Sequence, residues 1–397
     1  MKVYAICPKC KKRVLYEPTM VDLKEIERSG ISSVALDHGD HILVLYFDKE
    51  GRARGTEVHK FVSTRKEEIL QYKTRLENLT IDQLNIKNEI KTKLIEHGLA
   101  NIKDIIWIHP NKLSKILEIN QEEAENLMEK IIEIYDKYQG EYLNFIKGST
   151  ITTLEEKRIF LHTGSKNLDK ILMGGYSSGE VTEITGEYRT GKTQLCLTAT
   201  VTAFLPIEKG GLKSEEITVA IIDAEKTFNP ERVKKIAKRF KLEPRKILDM
   251  ILVGRPKNTL HQKKMINNLT KLVKKENTKL IIVDSITKLP RIDYQARKKL
   301  YERQRQILEM IETLQRITKN YNTVTLITNQ VVADITNNTN QYKPAGGHIL
   351  SHNIDTRLLL QYINKETRKI EIIDSNWLPP TSTEITITEE GIKDPQK

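Results

Sequence analysis

The sequence predicts an α/β protein: a mostly parallel, twisted sheet flanked by helices, preceded by a small helical domain and an N-terminal β-rich, zinc-ribbon-like module. Three observations predict it. From about Thr152 onward, short apolar runs bounded by turn residues alternate with longer amphipathic stretches. A glycine-rich loop at residues 186–193 stands between one such run and a helix-like segment. Through residues 77–145, Leu, Ile and Ala recur three or four positions apart, the spacing of amphipathic helices.

Taken in order, residues 1–62 open with Cys7-Pro8-Lys9-Cys10 and carry the strand-like run HILVLYF, a DKEGR turn and a second strand near 58–62. Cys7 and Cys10 have the spacing of half a tetrahedral zinc site, and His38 and His41 supply two further ligand types. Two readings stand: a structural Cys₂His₂ zinc, or two reduced cysteines on a turn followed by histidines at a strand start. Residues 63–76 are charged and helix-prone, a helical linker. Residues 77–145 hold several short helices, with Pro110 breaking their pattern. Residues 146–397 form the α/β part. Its runs VTEIT, TVAIID, ILDMILV, KLIIVD and TVTLIT are continuous, as strands buried on both faces require. TRLLLQYI, RKIEIID and STEITIT follow closely enough to form an antiparallel edge.

The 397 residues suffice for two or three domains, and 38% hydrophobic with 30% charged residues is a globular balance. The apolar run at 42–47 is too short to cross a bilayer. No signal-peptide pattern opens the chain, so the expected location is cytoplasmic and nucleoid-associated, with no membrane partner. Lys+Arg 65 against Asp+Glu 53 leaves a net charge of +12, compatible with a polyanionic partner and equally with a solvated lysine-rich surface. Cys196, in the helix-like segment after the loop, reads as core packing.

Gly186-Glu187-Tyr188-Arg189-Thr190-Gly191-Lys192-Thr193 fits G-x-x-x-x-G-K-[ST], the P-loop. Glycines let backbone N–H groups converge on phosphate oxygens, and the following helix N-terminus adds positive partial charge. Lys192 is placed to reach the β- and γ-phosphates of ATP, and Thr193 to hold Mg²⁺. Asp284 ends KLIIVD, where a carboxylate serves the same magnesium. Glu225 follows TVAIID and is the candidate for polarising the attacking water. Both acids fall at strand C-terminal ends, the edge at which such sheets bind ligands. Downstream, Arg291, Arg297, Lys298, Lys299, Arg303 and Arg305 cluster within fifteen residues, with Tyr294 and Tyr301 interleaved. Cations that neutralise phosphate and rings that stack bases are the single-strand-binding pattern.

GEYRTGKTQ resembles the corresponding segment of the RecA/RadA recombinase family, including archaeal RadA and its eukaryotic relatives. HTGSKNLDKILMGG, DAEKTFNPER, LIIVDSITKLPRIDYQAR, ITNQVVADI, KPAGGHILSH and IIDSNWLP follow in that family's order, covering about residues 148–395. The resemblance implies a RecA-type core that hydrolyses ATP at interfaces between protomers assembled on single-stranded DNA. It implies that Gln194 belongs to the nucleotide loop, Arg232 lies against adenine, and Gln330 couples the γ-phosphate to DNA. It assigns His352 to reporting nucleotide state between protomers, and Asp374 to capping ATP from the neighbouring subunit. Arg291, Tyr294, Arg297 and Arg303 fall in a first DNA-binding loop; Tyr342 and Lys343 fall in a second, about 334–347. Residues 77–145 resemble the family's helix-hairpin-helix domain weakly.

The sequence also departs from the family. Lys226 replaces a glycine and Asn229 an arginine beside Glu225. The second loop has only Tyr342 as an aromatic residue. The F-x-x-A tag through which family members dock on one another is Ile151-Thr152-Thr153-Leu154, and overfilling a pocket meant for alanine costs about 1–3 kcal/mol per contact. LEINQEEAEN in the helical segment has no glycine and four acids, which favours a packing or protein-contact role over DNA. The reading is therefore a DNA-dependent ATPase of recombination and repair, a diverged RadA-like paralogue with recombination-protein partners. Two alternatives are a filament-forming strand-exchange recombinase and a nucleotide-gated protein adaptor with negligible turnover.

Overall fold

The computed structural model describes residues 2–18, 26, 30–37, 41–60, 79–139, 158–213, 215–296, 299–333, 342–344 and 353–396. The chain divides into two units, Met1–Arg75 and Leu76–Lys397.

In the first unit, β1 (Val3–Ile6) and β2 (Arg13–Tyr16) form an antiparallel hairpin. The CPKC segment is its turn, closed by Cys7 N–H donating to Lys12 O and Lys11 N–H to Cys7 O. β3 (Ile31–Asp37), β4 (His41–Asp48) and β5 (Ala53–Lys60) make a three-stranded antiparallel sheet. Alternation along β4 buries Leu43, Leu45 and Phe47, the last two with Val3 and Ile26. The strand expected near 58–62 begins earlier, at Ala53. Asp48 accepts the Glu50 and Arg52 N–H groups and closes the turn so tightly that pairing resumes at once. The expected linker at 63–76 lies outside the described residues.

The second unit opens with a 3₁₀ turn (Ile81–Gln83) and helices α1 (Asn88–Glu96), α2 (Ile102–Ile105), α3 (Pro110–Leu117) and α4 (Gln121–Gln139). Pro110 starts α3 rather than merely breaking a helix, because first-turn residues have no N–H bond for proline to forfeit. The apolar faces share one core that includes Leu94, Ile102, Leu113, Leu127 and Ile131.

The α/β part follows. Its elements are β6 (Phe160–Leu161), α5 (Lys166–Ile171), β7 (Tyr176–Ser177), β8 (Val181–Gly186), α6 (Lys192–Thr202) and β9 (Thr218–Asp223). Next come α7 (Pro230–Arg239), α8 (Pro244–Asp249), β10 (Ile251–Gly254), α9 (Thr259–Lys275) and β11 (Thr278–Asp284). The chain continues through α10 (Lys288–Asp293), α11 (Leu300–Tyr321), β12 (Val324–Ala333) and β13 (Tyr342–Pro344). It ends with β14 (Thr356–Tyr362), β15 (Thr367–Ser375), β16 (Ser382–Thr388) and β17 (Gly391–Lys393).

The large sheet runs β10-β9-β11-β12-β8-β14-β15-β16-β17. Pairing is parallel from β10 to β14 and antiparallel from β14 to β17, with β13 antiparallel on β12. Val219, Ile221, Leu280 and Ile282 enter one core, whereas Ala220, Ile222, Ile281 and Val283 enter the other. Both sheet faces are therefore covered, α6 and α7 on one side and α9 and α11 on the other. One expected strand is divided: the first half of ILDMILV is helix α8, started by Pro244 at its first turn, and only Ile251–Gly254 pairs with β9.

The helical segment is fastened to the α/β part through one buried carboxylate. Asp104 is 0% exposed and accepts from Lys274 Nζ at 2.9 Å and from Tyr321 Oη at 2.8 Å. Arg316 donates to the Asp104 carbonyl at 2.9 Å, and Asn320 to the Lys103 carbonyl at 3.0 Å.

Candidate phosphate-binding site

The glycine-rich loop leaves β8, every residue of which is buried, and enters α6 at Gly191. A Cβ on Gly186 would stand 2.5 Å from Leu360 O and 2.8 Å from Thr190 Oγ1, so only glycine fits. Gly191 has φ +108°, a left-handed conformation, and a Cβ there would meet Ile387 at 2.1 Å. Arg189 also has positive φ, 64°. The loop is braced by its neighbours in the sheet: Tyr362 Oη donates to Arg189 O at 2.6 Å and Arg368 Nε to Thr190 O at 2.9 Å. Thr190 Oγ1 donates to Glu187 O, the Arg189 guanidinium lies over the exposed Tyr188 ring, and the buried Gln194 Oε1 has no hydrogen-bond partner among the described residues.

Lys192 donates to the carbonyls of Gly186 at 2.9 Å and Glu187 at 2.7 Å, which holds its ammonium across the loop mouth. Burial pulls its pKa below the ordinary lysine value, opposed by Asp284 and Glu225. Thr193 Oγ1 donates to Asp284 Oδ2 at 2.7 Å, and Thr328 Oγ1 to Asp284 Oδ1 at 2.5 Å. Burial raises the Asp284 pKa, while those two hydroxyl bonds oppose the rise.

Strand register brings the remaining groups alongside. Asp284 pairs with Asp223 across β11 and β9, and Gln330 with Gly186 across β12 and β8. Glu225 N–H donates to Asp284 O, and Glu225 Oε2 lies 2.9 Å from Lys288 Nζ. Gln330 Oε1 accepts from Arg291 at 2.7 Å. Thus α10 carries a cation on Glu225 and another on Gln330. The site's base is a buried network in which Glu183 accepts from Arg357 Nε at 2.6 Å and from Asn329 at 2.7 Å, and Thr287 donates to Asn329. Lys288, Thr328, Glu183 and Arg357 escape the sequence reading. A glutamate inside the wholly buried strand VTEIT was the available signal for the network, since a buried charge needs a partner.

Other predicted residues lie apart from this cluster. Arg232 donates to Thr388 O at 2.9 Å, and Asn229 caps α7 by accepting from the Arg232 N–H. Lys226 has φ 59°, the left-handed conformation for which a glycine would be free of strain. Asp374 is exposed on β15. Tyr294 ends α10 half-buried, Lys299 is exposed, and Arg303 lies on α11. Arg297, Lys298 and His352 lie outside the described residues, as do the side chains of Tyr342 and Lys343 on β13 and residues 151–154. Of the four zinc candidates, Cys7 is buried and Cys10 half-buried; His38 and the side chain of His41 lie outside the described residues. Among the described residues, no group of three or more His, Cys, Asp and Glu is arranged to hold a metal.

The sequence pattern of the Rad51 family matches residues 155–395. The chain is 34% identical over 306 residues to the DNA repair protein RAD51 homolog 1 of Arabidopsis thaliana, covering 76% of this chain and 87% of that one. It is 35% identical over 306 residues to a DNA repair protein RAD51 homolog of Solanum lycopersicum, with the same coverage. The DNA repair protein rhp51 of Schizosaccharomyces pombe is 33% identical over 308 residues, 77% of this chain and 82% of that one. With the family's sequence pattern matched over more than half its length and relatives about a third identical over three quarters of it, the chain belongs to the Rad51 family.

Proposed function

We propose that the protein is a DNA-stimulated ATPase of recombination and repair that binds single-stranded DNA and self-associates. The observation that carries this reading is the convergence of Lys192, Thr193, Asp284 and Glu225 at the C-terminal ends of β8, β9 and β11. ATP fits the loop, because the two glycines let its backbone turn tightly against Leu360 and Ile387 into the N-terminus of α6, whose N–H groups favour phosphate. Mg²⁺ fits Thr193 and Asp284, whose oxygens lie 2.7 Å apart; when bound it neutralises charge on the β- and γ-phosphate oxygens.

The chain's own groups do the rest. Lys192 exchanges its two carbonyl partners for phosphate and stabilises charge that develops in transfer. Glu225 orients the attacking water and takes its proton, which requires that its carboxylate turn from Lys288. Gln330 and Arg291 link that site to the basic first loop, so phosphate state and DNA contact share one hydrogen bond. The exposed Asp374 acts across a protomer interface. RAD51 homologues carry the name DNA repair protein, which supports the same role here.

The decisive measurement is steady-state ATP hydrolysis with and without single-stranded DNA. Stimulation is expected, and Glu225→Gln should lose turnover by about a hundredfold or more while retaining ATP binding. Tight ATP binding with no stimulation would overturn the reading in favour of a nucleotide-gated adaptor.

A further inference from the structure

Between the helical segment and helices α9 and α11 lies a groove of about 830 Å³. Ligand clefts are of this size. Its apolar lining includes Ile108, Ile116, Trp107 and Leu260. Trp107 is 68% exposed and Leu260 is 74% exposed, unusual for apolar residues that share one concavity. Five cations line it, against the two carboxylates Glu96 and Glu312.

Three of those cations are occupied. Lys263 is bonded to Glu309, Arg316 to the Asp104 carbonyl, and Lys319 stands 3.9 Å from Asp355. Lys112 and Lys264 differ: among the described residues neither side-chain ammonium makes a hydrogen bond or ion pair. Lys112 is half-buried on α3, and burial lowers its pKa, with Glu309 and Glu312 opposing. A desolvated cation beside apolar side chains favours an anionic partner.

We propose that this groove docks an acidic amphipathic peptide of a partner protein, with apolar side chains against Ile108, Ile116 and Leu260 and carboxylates on Lys112 and Lys264. This is a helix-in-groove mode of recognition with a cationic rim. A nucleic-acid strand fits less well. Stacking successive bases takes several large rings, whereas the groove offers Trp107 with only the small imidazoles of His97 and His109, and Glu96 and Glu312 would repel phosphate. An occupant would touch α11, the helix that carries Arg303 and Arg305 at its other end.

The chain has two tryptophans, so Trp377→Phe leaves Trp107 as the sole reporter. The probe is a short synthetic helix with glutamates on one face and leucine and phenylalanine on the other. Its addition should shift Trp107 emission saturably. Lys112→Glu with Lys264→Glu should weaken binding about tenfold or more, and a lysine-for-glutamate version of the probe should bind that variant better than the parent. Lys264→Glu alone, at an exposed position, reads the same effect if the double variant folds poorly. Equal binding of both probes, no saturable shift, or a shift produced only by an oligo-dT strand would each overturn the proposal.

Discussion

At the scale of single residues, the informative contact is the ion pair between Lys288 and Glu225. Lys288 Nζ stands 2.9 Å from the carboxylate assigned to orient water, and its side chain is 31% exposed. A partly solvated pair of this kind is worth about 1 kcal/mol, and a barrier change of that size is roughly fivefold in rate. Lys288→Ala is therefore predicted to raise DNA-free ATP turnover by about that factor and to shrink DNA stimulation correspondingly. Equal losses with and without DNA would show instead that Lys288 only positions Glu225. Lys288 occupies the same short helix as Arg291, whose guanidinium holds Gln330, so on the proposed mechanism any displacement of α10 would reach both Glu225 and Gln330.

At the scale of elements, α2 is held to α9 and α11 by a charged contact rather than by apolar area alone. Asp104 is buried, with Lys274 and Tyr321 on its carboxylate. Removing one member of a buried ion pair leaves the other uncompensated, at a cost of about 3–5 kcal/mol. The Lys274 side chain is 28% exposed and partly solvated, which places Asp104→Ala near the lower end of that range. Denaturant unfolding should show this loss, with protease cutting between the helical segment and the α/β part well before global unfolding. A change below about 1 kcal/mol would mean that packing alone holds the two together. The helical segment forms one wall of the groove through residues 96–116, whereas the acidic stretch 117–126 contributes no lining residue and packs its apolar side chains into the segment's own core.

At the scale of the whole molecule, one carboxylate sets a pH dependence of folding. Glu180, beside β8, is raised to about 6 by burial, even though Arg158 lies 2.8 Å away and opposes the shift. A carboxylate whose folded pKa lies above its unfolded value favours the folded state while protonated. Its contribution is thus complete below about pH 4.5 and is lost as pH rises through 6. The shift corresponds to about 2 kcal/mol. Glu180→Gln should flatten the fall in stability between those pH values, measured as Tm against pH with the parent chain alongside. An unchanged slope would assign the titration elsewhere.

Much of the architecture was legible because it is local. Continuous apolar runs announce parallel strands buried on both faces, and the loop 186–193 places a helix after one of them. Asp284 and Glu225 could be read as neighbours of that loop because residues at strand ends share one edge of the sheet. The resemblance to RadA added family roles to the same positions. The division of ILDMILV into helix and strand was not legible, since a short apolar run serves either, and Pro244 decides the start of the helix. Nor was the Glu183, Asn329 and Arg357 network, whose members are 146 and 174 residues apart.

By itself, then, the sequence determined the place of the glycine-rich loop between a strand and a helix, most strands of the large sheet and the strand-end position of the two acids, because periodicity and turn chemistry are properties of adjacent residues. Tertiary structure alone decided which charges meet: Lys288 on Glu225, Asp104 under Lys274, and Lys112 half-buried with no carboxylate bonded to it among the described residues. The physical reason is that strand order and helix docking bring distant side chains within reach, and the electrostatics of burial act only once they are there.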